Sequence, residues 1–337
     1  MRDVAYAVVL WASTVSTGAL CLGRGAESDL GTFTLTCLPM RDVGGGNGLA
    51  IVLRTPTGRV YLYDTGNGYP TENGWRGNYN AGRDTIWPYL QSNGVRSIHG
   101  VFISHAHYDH FGGLLWLAEH VPIGQLIDSG YRFDGRMDES YRRELQDYER
   151  LRARFRKQGK YRKATAGAKL SIDPHLEVQV LAPPEEYFGD PVPEKRPPND
   201  PPAHYLVNAN SLVLRIRHGD VVFLLPGDIQ RLDQEHSLLP FVPAEALRCD
   251  VLVAPGHGLH VTKAFAQRTR PKLVLASVLR RFARGLEARR RFEPSGARVL
   301  VTSTDGLISV RSNGHRFSFQ ATERAPFTQP NEEKTGR

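Results

Sequence analysis

Short apolar runs recur along the chain, and most of them are rich in β-branched and aromatic residues. Thr32 to Leu38 (TFTLTCL) alternates, Ala50 to Arg54 (AIVLR) follows, and Arg59 to Tyr63 (RVYLY) comes third. The turn Thr55-Pro-Thr-Gly58 predicts a hairpin between the last two. A helix is expected over Thr85 to Asn93, with Asp84 as its N-cap and Gly94 as its stop. Next come a buried strand at Gly100 to Ile103, a helix over Phe111 to His120, and a strand end at Ile127-Asp128-Ser129-Gly130. Tyr141 to Lys157 reads as an amphipathic helix, with Leu145, Tyr148, Leu151 or Arg152, and Phe155 at helical spacing. Asp190 to Pro202, with six prolines, reads as an irregular loop. Tyr205 to Ile216 and Val221 to Ile229 read as a hairpin turning at His218-Gly219-Asp220. Asp250 to Pro255, Lys272 to Ser277, Arg298 to Ser303 and Leu307 to Arg311 complete the strands, with turns at Thr304-Asp305-Gly306 and Asn313-Gly314.

The 337 residues are 40% hydrophobic, enough for a large core without staples. Cys21, Cys37 and Cys249 form no C-x-x-C pair, which argues against a disulfide framework or a cysteine-rich zinc site; Cys37 and Cys249 are expected as buried thiols. Residues 1–27 have the layout of a signal peptide or N-terminal anchor: Arg2, an apolar heart AYAVVLWA, then small residues. Export to the periplasm or outside is therefore expected, with a cytoplasmic protein as the alternative if the start is misassigned. No later stretch is long and apolar enough to span a bilayer. The body should cover 28–323, with a basic insertion at about 131–203 and a polar tail at 324–337.

The net charge of +8 makes an anionic small molecule or a nucleic acid the natural partner to consider. Between Tyr141 and Leu170 there are 11 Arg or Lys and 3 Asp or Glu, an excess of +8. That arm is expected either to hold a polyanion, with Arg152, Arg156 and Lys160 as candidate substrate contacts, or to be a solvated helical lid. No oligomeric state follows from the sequence.

One stretch concentrates the chemistry. Ser104-His105-Ala106-His107-Tyr108-Asp109-His110-Phe111-Gly112-Gly113 places three histidines and an aspartate within six residues, directly after a strand. In extended backbone, residues two apart share a face, so His105 and His107 can meet one ion, while Asp109 and His110 face a second. Imidazole with carboxylate is a ligand set for zinc, manganese or iron.

H-x-H-x-D-H followed by Gly-Gly resembles the metallo-β-lactamase fold superfamily, an α/β four-layer αβ/βα sandwich of metal-dependent hydrolases. Asp64, at the end of a strand, matches the superfamily's supporting aspartate. Asp228, in the run F-L-L-P-G-D-I, matches the carboxylate that bridges two ions. His257 matches the histidine that closes the second metal position, with His260 as the alternative. The loop Arg41 to Gly48, and the run Asn208-Ala-Asn210-Ser211-Leu212-Val-Leu, resemble the ComEC/Rec2-like hydrolase domain. Asn210 and Ser211 are expected to support the site from behind the ligands. The chain departs from many superfamily members in having no histidine shortly before Asp228; His204 and His218 are the nearest. The resemblance implies metal ligands His105, His107, Asp109, His110, Asp228 and His257, and catalytic roles for Asp109 and Asp228. It also implies two Zn2+ ions, with Mn2+ as an alternative, and a bridging hydroxide that attacks a phosphate ester or phosphodiester. Small esters, lactones or lactams are the alternative substrates, and a metal-binding module without turnover is the third reading.

Overall fold

The computed structural model describes residues 30–44, 46–196 and 201–322. The expectations for 1–27 and for 324–337 lie outside these residues. In chain order the strands are β1 (Phe33–Cys37), β2 (Ala50–Arg54), β3 (Val60–Thr65), β4 (Pro70–Thr71), β5 (Gly74–Trp75), β6 (Gly100–Phe102), β7 (Leu126–Asp128) and β8 (Tyr161–Lys163). They continue as β9 (Glu177–Ala182), β10 (Val213–His218), β11 (Val221–Leu225), β12 (Val251–Val253), β13 (Leu273–Ala276), β14 (Arg298–Val301), β15 (Leu307–Ser312) and β16 (Phe317–Thr322).

Two large sheets form. One has the order β16-β15-β1-β2-β3-β6-β7-β8, the other β14-β13-β12-β11-β10-β9, and β4-β5 is a small separate hairpin. Each large sheet is antiparallel through its hairpins and then turns parallel, from β3 onward in the first and from β11 onward in the second. Phe33, Leu35, Ile51 and Tyr63 from the first sheet meet Leu214, Ile216 and Phe223 from the second in one core between them. Separate apolar layers cover the outer faces, so the architecture is the expected four-layer sandwich. Tyr63 locks the sheets together: its hydroxyl, fully buried, meets the Leu212 carbonyl at 2.9 Å and the Leu225 carbonyl at 3.1 Å. Cys37 and Cys249 are buried free thiols, and burial pushes the Cys37 thiol up to about 12.

Four helices matter for the site: α1 (Trp87–Ser92), α2 (Tyr108–His120), α3 (Glu139–Lys157) and α4 (Pro202–Ala209). Three corrections to the sequence reading concern them. The helix expected from Thr85 is instead a wide turn at Gly82–Ile86 running into α1. Its start is held by Asn80, whose Oδ1 accepts from the Gly82 and Arg83 amides, whereas Asp84 pairs with Arg83. Helix α2 begins at Tyr108, not Phe111, which puts Asp109 in its first turn, where a carboxylate suits the helix dipole. Tyr205 to Ala209 is helical, not strand; Pro202 opens α4 with a preset φ, and the strand begins only at Val213.

The segment 131–203 is also more integrated than an insertion. It supplies β8 and β9, the edge strands of the two sheets. Helix α3 buries Tyr148, Leu151 and Phe155, as its spacing predicts, and Asp138 caps it by accepting from the Tyr141 amide at 3.1 Å. Strand β16, which the sequence reading did not assign, pairs with β15 at the rim.

Candidate metal centre

The candidate ligands sit at the C-terminal ends of parallel strands from both sheets, where open α/β sheets place their ligands. Asp64 ends β3, the histidine stretch leaves β6, Asp228 follows β11, and His257 follows β12. The two glycines after the stretch let α2 lie against the end of β3. A Cβ on Gly113 would overlap the Thr65 carbonyl.

Each imidazole is oriented from behind. His110 Nδ1 donates to Asp64 Oδ2 at 2.8 Å. Ser104 Oγ donates to the same oxygen at 2.7 Å, so at 2.9 Å it accepts from His105 Nδ1. The Ser104 amide adds a bond to Asp64 Oδ1 at 2.7 Å. His257 Nδ1 donates to the Ser277 carbonyl at 2.9 Å. With Nδ1 committed in all three rings, Nε2 carries the lone pair that turns inward. Asp64 and His257 hold left-handed backbone, φ +58° and +57°, a conformation that costs a non-glycine residue roughly 1–3 kcal/mol and clusters at functional sites.

Two triads result. His105, His110 and Asp228 bring ligand atoms together, and so do Asp109, His110 and His257, each set within 4.8 Å. Asp228 Oδ2 lies 3.4 Å from His110 Nε2 and 3.2 Å from His257 Nε2, while Asp109 Oδ2 lies 3.3 Å from His257 Nε2. His107 joins neither triad. Its ring stacks on His204 at 5.2 Å and lies 6.2 Å from the ring of Tyr141, turned toward α4.

The Nε2 atoms of His105, His107, His110 and His257, and Oδ1 of Asp228, are buried with no hydrogen-bond partner among the described residues. Orphaned buried acceptors of this kind are costly unless a cation meets them. The donor set therefore fits one or two divalent ions.

Charge in the centre follows from the same geometry. Burial holds His105 well below its ordinary value of 6.5, and burial with His204 beside it takes His107 to about 3. Burial also opposes charge on His110 and His257, but the surrounding carboxylates outweigh it. Asp228 and Asp109 raise His257 to about 9, and with Asp64 they raise His110 well above 6.5. Conversely, Asp109 and Asp228 stay ionised despite burial, because both imidazoles face them.

Ser211 supports the site: its Oγ accepts from the Asp228 amide at 3.2 Å. Asn210 does not; it holds the backbone of Phe188 and the Leu206 carbonyl. His260 lines the mouth, but His257 is the residue that meets both carboxylates. His218 lies away from the centre, bonded to Ser312 and Leu30.

The basic arm is corrected. Arg152 is 2% exposed and bound to Asp128, Glu149 and the Tyr131 carbonyl, so it cannot meet a substrate. Arg156 lies over the Tyr161 ring, and Lys160 donates to the Ile123 carbonyl. Arg152 is thus part of the α3 scaffold, whereas Arg156 and Lys160 stay exposed.

Residues 43–257, more than half of the chain, match the family model described as "Metallo-beta-lactamase superfamily". The chain belongs to the metallo-β-lactamase superfamily. Membership makes it a metal-dependent hydrolase with the superfamily's fold. ComE operon protein 3 of Bacillus subtilis (strain 168) is 24% identical over 245 residues, covering 71% of this chain and 28% of that protein. The chain thus spans under a third of that relative's length. Among solved structures, Igni18, a metallo hydrolase from Ignicoccus hospitalis KIN4/I, is 16% identical with a TM-score of 0.45, covering 82% of this chain and 98% of its own. CmlA, a diiron β-hydroxylase from Streptomyces venezuelae, is 12% identical with a TM-score of 0.41, covering 80% of this chain and 52% of its own.

The mouth of the centre is a cleft of about 730 Å³ lined by His107, Asp109, Asp228, His257, Arg76 and Arg143, among others. His204 is the residue whose part the sequence did not reveal. It lies 24 positions before Asp228, and only the turn of α4 carries it over His107.

Proposed function

We propose that the chain hydrolyses phosphate esters, phosphodiesters above all, with two zinc ions in the centre and manganese as the alternative metal. The observation that carries this reading is the buried set of unpartnered acceptors, Nε2 of His105, His107, His110 and His257 with Oδ1 of Asp228, at the floor of a cleft rimmed by Arg76 and Arg143. A divalent pair lowers the pKa of water to near neutrality and offsets charge on a phosphoryl group. His105 and His107, with His110, Asp109, Asp228 and His257, would hold the ions, while Asp64, Ser104 and Ser277 fix the imidazoles of His105, His110 and His257. Asp109, kept ionised beside His257, would also orient an attacking water. The exposed guanidinium of Arg76, 4.6 Å over the ring of Tyr69, would meet a non-bridging phosphate oxygen.

A substrate panel tests the reading. Bis-p-nitrophenyl phosphate, p-nitrophenyl phosphate, p-nitrophenyl acetate, a lactone and a β-lactam are compared by kcat/KM on the zinc- and manganese-loaded protein. The diester is expected to lead. A carboxylic ester, lactone or lactam turned over faster than both phosphates would overturn the proposal.

A further inference from the structure

Part of the positive charge noticed in the sequence is already engaged around α3. Arg142 pairs with Glu139, Arg150 with Asp147 and Arg154 with Glu119, and Arg152 is buried. A second basic stretch, Leu279-Arg280-Arg281-Phe282-Ala283-Arg284, is placed differently. Arg280, Arg281, Phe282 and Arg284 are all exposed. No ion pair joins Arg280 or Arg284 to another described residue. Phe282 is 40% exposed, one of two large hydrophobic side chains left open among the described residues. An apolar ring held in water and flanked in the chain by arginines invites a partner that is both flat and anionic.

This stretch is tied to the metal centre by four connections. Ser277, whose carbonyl orients His257, lies three residues before Arg280, a reach of at most about 11 Å. Ser277 Oγ also donates to the Gly48 carbonyl at 2.6 Å. The Leu279 amide donates to Asn47 Oδ1 at 3.1 Å, and Arg281 pairs with Asp42. The loop 46–48 forms one wall of the cleft, so close that a Cβ on Gly46 would overlap the Asp109 carboxylate. The Arg281 guanidinium lies 4.8 Å from the Phe282 ring centroid and steadies it.

We infer that Arg280, Phe282 and Arg284 form a docking platform for a single-stranded nucleic acid, which runs from there into the metal cleft. Bases stack on an exposed aromatic ring without regard to sequence, and flanking arginines track the phosphates. The surface takes a flexible single strand because Phe282 is exposed on a short helical turn, where an unpaired base can reach it; paired bases would keep their faces stacked on each other. The inference rests on the phosphodiesterase reading for its substrate class.

The test uses the full chain, loaded with zinc, and a fluorescein-labelled oligothymidylate of about a dozen nucleotides, read by anisotropy across a salt series. Phe282→Ala is expected to weaken binding about tenfold, and Phe282→Tyr to restore it. Arg280→Gln combined with Arg284→Gln is expected to flatten the slope of log affinity against log salt by about 1.4, or about 0.7 per lost phosphate contact. In the same variants the ratio of oligonucleotide to bis-p-nitrophenyl phosphate kcat/KM is expected to fall. Unchanged oligonucleotide affinity and salt slope in both sets of variants would overturn the platform, even with the small diester cleaved. Binding of anionic phosphatidylglycerol vesicles that depends on Phe282, with no oligonucleotide binding, would overturn it in favour of a membrane surface. A wild-type chain that cuts neither diester yet binds the oligonucleotide through Phe282 would support the platform and refute the phosphodiesterase reading alone.

Discussion

Asp64 and His110 form a fully buried pair, with His110 Nδ1 donating to Asp64 Oδ2 at 2.8 Å. Through Ser104 the same carboxylate also fixes His105. One residue therefore orients two imidazoles that belong to the same triad. Asp64→Ala frees both rings, and metal affinity is expected to fall about 10–100-fold. Competition against a chromophoric chelator measures the loss. Unchanged affinity would mean that the rings are held by something other than Asp64.

Metal binding should be strongly coupled to protons. Without an ion, His257 is held at about 9 and His110 well above 6.5, so both carry a proton at neutral pH. An ion needs both rings neutral. Loading at pH 7 is therefore expected to release about two protons, and affinity should rise with pH until about 9. Calorimetry in buffers of different ionisation enthalpy reads the proton count; a count of zero would contradict the charge arrangement. For the metal-free protein the sign is the reverse. His257 has a folded pKa above its unfolded value, so its contribution to stability is complete below about pH 6.5 and is lost as the pH rises through about 9.

Arg152 gives a sharp contrast between charge as scaffold and charge as bait. Its guanidinium, 2.8 Å from Asp128 and buried, leaves an uncompensated Asp128 when removed. Arg152→Ala is expected to destabilise the fold by about 3–5 kcal/mol, measured by urea denaturation. The salt dependence of oligonucleotide binding should not change. A stable variant with a flatter salt slope would restore Arg152 as a substrate contact.

His204 stacks on His107 and forms an edge contact with Tyr141. His204→Ala is expected to lower kcat/KM about tenfold while the two-ion content stays, the size seen when groups behind metal ligands are removed. Metal content and turnover measured on the same sample separate a positioning role from loss of the site.

The parts of the site that could be read from the chain are those set by local backbone. A strand end followed by H-x-H-x-D-H, an aspartate closing β3 and another after β11 carry their spacing with them. Ligand residues at strand ends need little tertiary knowledge to be seen. What could not be read depends on distant packing. The charge run in α3 gives no sign that Arg152 turns inward onto Asp128, because a heptad-like apolar line tolerates an arginine when a carboxylate waits below it. Likewise α4 is hidden by its β-branched and aromatic residues, and only Pro202 hints that the chain coils there and brings His204 into the mouth. The π-type turn at Gly82–Ile86 depends on Asn80 reaching two amides, which no periodicity reveals.

The central claim is a two-ion hydrolytic centre, and metal content per chain measured alongside bis-p-nitrophenyl phosphate turnover tests it most directly. Elemental analysis of the purified full chain is expected to find two ions. Turnover should disappear on chelation and return with zinc or manganese, and His107→Ala should abolish it. One ion or none, with no turnover after either metal is added back, would contradict the account.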